Sequence, residues 1–205
     1  MNTITPSNMP EHQVDTPVIT LRWKLSNKQL VLGKRHLKNI NALLLPDGLV
    51  AWIHQHIEWT LPDAIMDDPS GVLVIDIDKQ EHAKMDVEPY VALQDTSVKA
   101  LSERVLQDSL LNNLAPQELL WIYSDGAFTV LCDESQAISA AQTLALDLSK
   151  ALNISVLFSK HARIEDAQEL LLVSDEHGFV GAEDKSGDMT KRFEMYWNKL
   201  CESKQ

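Results

Sequence analysis

From Ile19 the chain alternates apolar and polar residues, Ile19-Thr20-Leu21-Arg22-Trp23-Lys24-Leu25. That period of two marks a half-buried strand. Ser26-Asn27-Lys28 turns and Gln29-Leu30-Val31-Leu32 returns. With Asn27-Lys28 as a two-residue loop, Leu25 faces Leu30 and Trp23 faces Leu32, while Arg22 and Lys24 point to the other, exposed side. The spacing then becomes helical. Leu37, Ile40 and Leu44 predict a helix over 34–45 that Pro46 stops, and Leu49, Trp52, Ile53 and Ile57 predict a second, capped by Asp47.

Asp67-Asp68-Pro69-Ser70-Gly71 is a strong turn signal. Beyond it the pattern predicts strands at 72–78 and 87–93 and a helix over 97–111. A hairpin follows, 118–124 and 127–132, turned by Asp125-Gly126. A helix with the stripe Ile138, Ala141, Ala145, Leu148 and Leu152 ends at Asn153, a left-handed stop. Strands at 154–158 and 170–174 follow. A last helix over 189–201 carries Met189, Phe193, Tyr196 and Leu200 on its apolar face.

The expected fold is α+β, a mainly antiparallel sheet with helices packed on it. The order from 87 to 158 predicts a ferredoxin-like β-α-β-β-α-β arrangement in the C-terminal two thirds. Residues 1–16 read as a disordered tail, 17–70 as an N-terminal hairpin plus helices, and 71–205 as a sandwich domain. One continuous domain over 17–205 is the alternative division.

Composition narrows the classes. At 44% hydrophobic the 205 residues can bury a core. No apolar run approaches the ~20 residues of a bilayer span. The start, MNTITPSNMPEHQVD, lacks the basic and apolar regions of a secretory signal, so a cytoplasmic location is expected. Two cysteines make no disulfide framework or zinc motif. A net charge of −12 argues against nucleic-acid or membrane binding by the whole surface.

Three candidate features remain. If 72–78 and 87–93 form a hairpin centred near His82, Leu73, Ile75 and Ile77 face the core. Asp76, Asp78, Asp86 and Glu88 then gather on the other face. Four carboxylates suit magnesium, and with it phosphoryl transfer. A solvated acidic strand end is the plainer alternative, and it is preferred because no glycine-rich phosphate loop accompanies the cluster.

Arg22, Lys24, Lys28, Lys34, Arg35 and Lys38 form a basic stretch with no acid among them. It suits an anion or an acidic protein partner better than nucleic acid, which would want exposed aromatics as well. Trp197, one position off the last helix's stripe, is a candidate anchor for a partner. The histidines show no zinc spacing, and neither cysteine has a neighbour that would activate it.

With nucleophile elbows and nucleotide fingerprints absent, the expectation is a non-catalytic protein-binding module of adaptor, regulatory or inhibitor type. It would need no cofactor and could self-associate. The alternative is a magnesium-dependent phosphoryl-transfer or nucleic-acid-acting enzyme using Asp76 and Asp78.

Overall fold

The structure is a computed structural model and describes residues 18–43, 45–59, 61, 70–112, 115–133 and 138–203. The tail expected at 1–16 lies outside them. Two sheets organise the chain. The first holds β1 (Ile19–Ser26), β2 (Gln29–Leu30), β3 (Gly71–Ile77) and β4 (Ala83–Pro89) in the order β2-β1-β3-β4, all antiparallel. Helices α1 (Gly33–Ile40) and α2 (Asp47–Trp59) cover one face. Leu21, Trp23 and Leu25 of β1 pack there with Leu73, Ile75 and Ile77 of β3, against Ile40 and Ile53.

The second sheet holds β5 (Glu118–Ser124), β6 (Ala127–Val130), β7 (Ser155–Phe158), β8 (Glu169–Ser174) and β9 (Gly178–Gly181) in the order β7-β6-β5-β8-β9. Only β6 and β7 run parallel. Its faces are covered by α3 (Val98–Leu111) on one side and by α4 (Ala140–Ala151) and α5 (Asp188–Glu202) on the other. Burial on both faces explains the unbroken apolar runs Leu119–Ile122 and Leu170–Val173, where a one-sided sheet would alternate.

The α+β class with mainly antiparallel sheets therefore holds. The strand, helix, hairpin, helix, strand order from 87 to 158 is present, but its first strand stays in the first sheet. The ferredoxin-like arrangement is thus not closed. The boundary between sheets falls after β4, so β3 and β4 complete the N-terminal sheet. Strand β9 was not expected.

Two registers differ from expectation. Asn27 and Lys28 both take positive φ, and Leu25 does face Leu30. Leu32, however, adopts φ 60 and starts α1, so it never pairs with Trp23. The second hairpin pairs Asp76 with Lys84, Val74 with Asp86 and Val72 with Glu88. Its turn closes earlier than expected because the Asp78 carboxylate accepts the amides of Gln80 and His82 at 2.8 and 2.9 Å. The shift is an even number of residues, so Leu73, Ile75 and Ile77 keep the core face.

Candidate functional site

The shifted register disperses the four carboxylates. Asp76 accepts the Thr20 hydroxyl at 2.7 Å, and Asp78 is buried in its own turn. Asp86 pairs with Lys84 at 2.6 Å and Glu88 with Arg22 at 3.0 Å. The basic residues also separate. The face of β1 that carries Arg22 and Lys24, expected to meet water, meets the second sheet. The Lys24 amine lies 3.6 Å from the ring centre of Tyr90, and Arg35 reaches Asp147 on α4 at 2.7 Å. Lys28, Lys34 and Lys38 remain at the surface. Trp197 is buried against Phe179, because the inward stripe of α5 is Thr190, Phe193 and Trp197.

What the fold does assemble is a polar cavity of about 160 Å³ between the two sheets. Thr20 and Arg22 enter it from β1, Arg104 and Asp108 from α3, Glu118 from the start of β5, and Ser174 and Glu176 from the end of β8 and the turn after it. Glu118 and Glu176 sit where apolar strands end, so the chain leaves the core at the level of the cavity.

Arg104 is the hub. Its Nε donates to Glu118 at 2.8 Å, and its Nη2 lies 3.5 Å from Glu176. Arg22 grips Glu176 with two bonds, Nε at 2.8 Å and Nη2 at 3.1 Å, and reaches Glu88 with Nη1. The Ser174 hydroxyl donates to Glu118 at 2.8 Å and accepts the Glu176 and His177 amides. Asp108 accepts the amides of Gln117 and Glu118, so α3 and β5 are tied together beneath the cavity.

These surroundings separate the two glutamates. Burial pushes Glu118 above the ordinary carboxyl range, and Arg104 and Ser174 only partly offset it. Burial acts the same way on Glu176, but the Arg22 fork, His177 and Arg104 outweigh it and hold it below that range. Asp108 is raised by burial. His177 is pushed down to about 4 by burial, and its Nδ1 lies 3.2 Å from the Tyr90 hydroxyl.

Glu118, Glu176 and His177 lie close enough to share a metal ion, the one such group among the described residues. The guanidiniums already take oxygens of both carboxylates, so the group reads as an arginine-bridged acid pair. Sequence reasoning missed it because Arg22 and Glu176 stand 154 positions apart. The legible signal was a charge at each end of a fully buried strand.

No family model matches this chain, and no curated protein does. Solved structures do. A fold IV transaminase from Curtobacterium pusillum superposes with TM-score 0.58 at 11% identity, over 89% of this chain and 83% of that one. A putative 4-amino-4-deoxychorismate lyase gives 0.57 at 13%, over 85% and 88%. A branched-chain amino acid aminotransferase complexed with N-(5′-phosphopyridoxyl)-L-glutamate gives 0.55 at 10%, over 95% and 90%.

The fold is that of the fold IV transaminases. Two expectations are corrected by it. A non-catalytic adaptor or regulatory module was inferred from missing motifs, yet the solved proteins named above that share this fold are transaminases and a lyase. The expectation of no cofactor, or magnesium alone, is not what this fold holds elsewhere, since one of those neighbours carries a phosphopyridoxyl ligand. Among the described residues no helix is long and apolar enough to cross a membrane.

Proposed function

We propose that this chain is an acid–base enzyme acting on a small, amine-bearing molecule in the cavity between the sheets. The observation that carries this reading is the split pair: Glu118 raised, Glu176 lowered, both bound to Arg104 in one cavity. Two carboxyl groups whose surroundings push their pKa values apart are suited to separate roles, one holding a proton and the other a charge. Glu118 is the proton donor and acceptor. Glu176, fixed by Arg22, provides constant negative charge.

With a proton on Glu118, Asp108 and Glu176 balance Arg22 and Arg104 in the lining. The amino-acid and amino-group compounds named for the neighbours of this fold support the amine-bearing substrate class. A cytoplasmic location belongs to the same reading.

The phosphopyridoxyl group of the neighbours implies pyridoxal phosphate, which needs a lysine amine facing the ligand space. No lysine lines this cavity or the smaller one beside His36 and Asp175. The Lys24 amine is held over Tyr90 and donates to Ser70, and the Lys185 amine donates to three backbone carbonyls. The residues that line these cavities do not fit that group.

The test is a thermal-shift panel of amino acids and simple amines. Each hit is then followed by proton NMR in D₂O, with wild type and Glu118→Gln. A hit that is consumed or exchanges a C–H proton with wild type, and is bound but unchanged with the variant, supports the reading. The absence of any stabilising amine, or equal turnover by the variant, overturns it.

A further inference from the structure

We propose that the peptide edge of Arg22 on β1 is a hydrogen-bonding subsite of the polar cavity. It takes a ligand that presents an N–H donor and a carbonyl acceptor on either side of one carbon. The inference rests on the cavity being a ligand site, but not on the acid–base roles of Glu118 and Glu176.

The register fixes which way this edge points. The Asp78 amide donates to the His82 carbonyl at 3.0 Å, in line with the pairing of β3 and β4. Backbone groups alternate between the two sides of an antiparallel strand. Asp76, Val74 and Val72 therefore bond towards β4, and Ile77, Ile75, Leu73 and Gly71 towards β1. The β1 partners of that second set are Ile19, Leu21, Trp23 and Leu25. Thr20, Arg22 and Lys24 are left with N–H and C=O turned to the outer edge of β1.

Two of these three positions are completed from within the chain. Asn112, at the end of α3, gives Thr20 what a neighbouring strand would. Its Oδ1 accepts the Thr20 amide at 2.9 Å, and its Nδ2 donates to the Thr20 carbonyl at 3.1 Å. The Lys24 amide donates to the Asp175 carbonyl at 3.3 Å, and the Lys24 carbonyl accepts the Val31 amide at 2.9 Å. Arg22 lies between them. Among the described residues neither its N–H nor its C=O has a partner. Its side chain is engaged elsewhere, on Glu176 and Glu88.

This position borders the cavity. Arg22 lines it, with Thr20 and Asn112 to one side and Glu176, next in the chain to Asp175, to the other. An unpaired strand edge is a template for further backbone pairing, as when a peptide adds to a sheet. Here Asn112 and Asp175 close the edge on both sides, so the pairing is limited to one residue. A residue that exchanges both bonds with Arg22 offers an N–H and a C=O flanking one carbon. A free amino acid and an amino-acid amide both carry that unit.

Amide hydrogen exchange, read residue by residue by NMR on the full chain, tests this. In the free protein the Arg22 amide is expected to exchange about tenfold faster than the bonded amides of Thr20 and Lys24. Millimolar glycinamide or glycine is expected to slow Arg22 by about the same factor and to leave Thr20 and Lys24 unchanged. Protection by glycinamide alone assigns the subsite to amides, and protection by glycine assigns it to free amino acids. Propylamine, an ammonium without a carbonyl, is expected to have no effect. An Arg22 amide as slow as its neighbours in the free protein overturns the proposal, and so does one that neither glycinamide nor glycine slows. Glu118→Gln is expected to keep the protection. Protection without any turnover of amines therefore overturns the acid–base reading alone, and turnover without protection overturns the subsite alone.

Discussion

Arg104 on α3 joins Glu118 to Glu176: its Nε lies 2.7–2.8 Å from the Glu118 carboxylate and its Nη2 3.5 Å from Glu176. One guanidinium thereby lowers two acids from different strand ends, opposing burial at Glu118 and adding to the stronger hold of Arg22 at Glu176. In carbon-13 NMR of the side-chain carboxyls, Glu118 is expected to titrate above the ordinary glutamate range and Glu176 below it. In Arg104→Met, Glu118 is expected to move further up, because burial remains while its cation is lost. A Glu118 titration unchanged by the substitution would remove Arg104 from this role.

Asp175 and His36 make stability depend on pH in opposite directions. Asp175 is pushed up to about 7 by burial, against an ordinary value of 3.8. Between those values the folded state keeps a proton that the unfolded state has lost. The contribution of Asp175 is therefore fully present below pH 3.8 and lost as pH rises through about 7. His36, pushed down to about 3 from 6.5, contributes stability that is lost as pH falls. In Asp175→Asn only the first effect disappears. Wild type should lose stability relative to this variant between about pH 4 and pH 7 in denaturant melts, and parallel curves would contradict it.

The sheet registers show what hydrophobic patterning can and cannot reveal. Faces are set by parity, so Leu73, Ile75 and Ile77 were legible as core although the hairpin turn was misplaced. The turn itself depends on Asp78 folding back on Gln80 and His82, an interaction that alternation does not encode. Strand β9 is four residues, Gly-Phe-Val-Gly, too short and too rich in glycine to read as a strand. The cavity was illegible for a different reason. Its residues come from β1, α3, β5 and the end of β8, and only the packing of two sheets brings them together. Arg22 and Lys24 were correctly assigned to the non-core face of β1, but nothing local says that a second sheet covers that face.

Gly178 closes the β8–β9 turn at φ +73, and a Cβ there would fall inside the indole of Trp197. Both terms act against any side chain: the left-handed backbone and the overpacked ring. Gly178→Ala is expected to destabilise by about 3 kcal/mol or more. The loss should shrink in Gly178→Ala with Trp197→Leu, since the smaller side chain yields space. Chemical denaturation of the two variants measures this, and additive effects would show that the indole is not the obstacle.

Arg22 is the main strap between the sheets. It leaves β1, forks onto Glu176 in the turn after β8, and touches Glu88 of β4. The Glu176 side chain is 9% exposed, so losing its fork leaves a buried carboxylate with only the longer contact to Arg104. Arg22 itself is about one-third exposed, which moderates the cost. Arg22→Met is expected to destabilise by about 1–3 kcal/mol and to raise Glu176 toward Glu118. The double variant Arg22→Met with Glu176→Gln should recover part of the stability, because no charge is then stranded. Urea melts of the four-member cycle test this, and a double variant no more stable than Arg22→Met would place the value of Arg22 in its packing rather than in its charge.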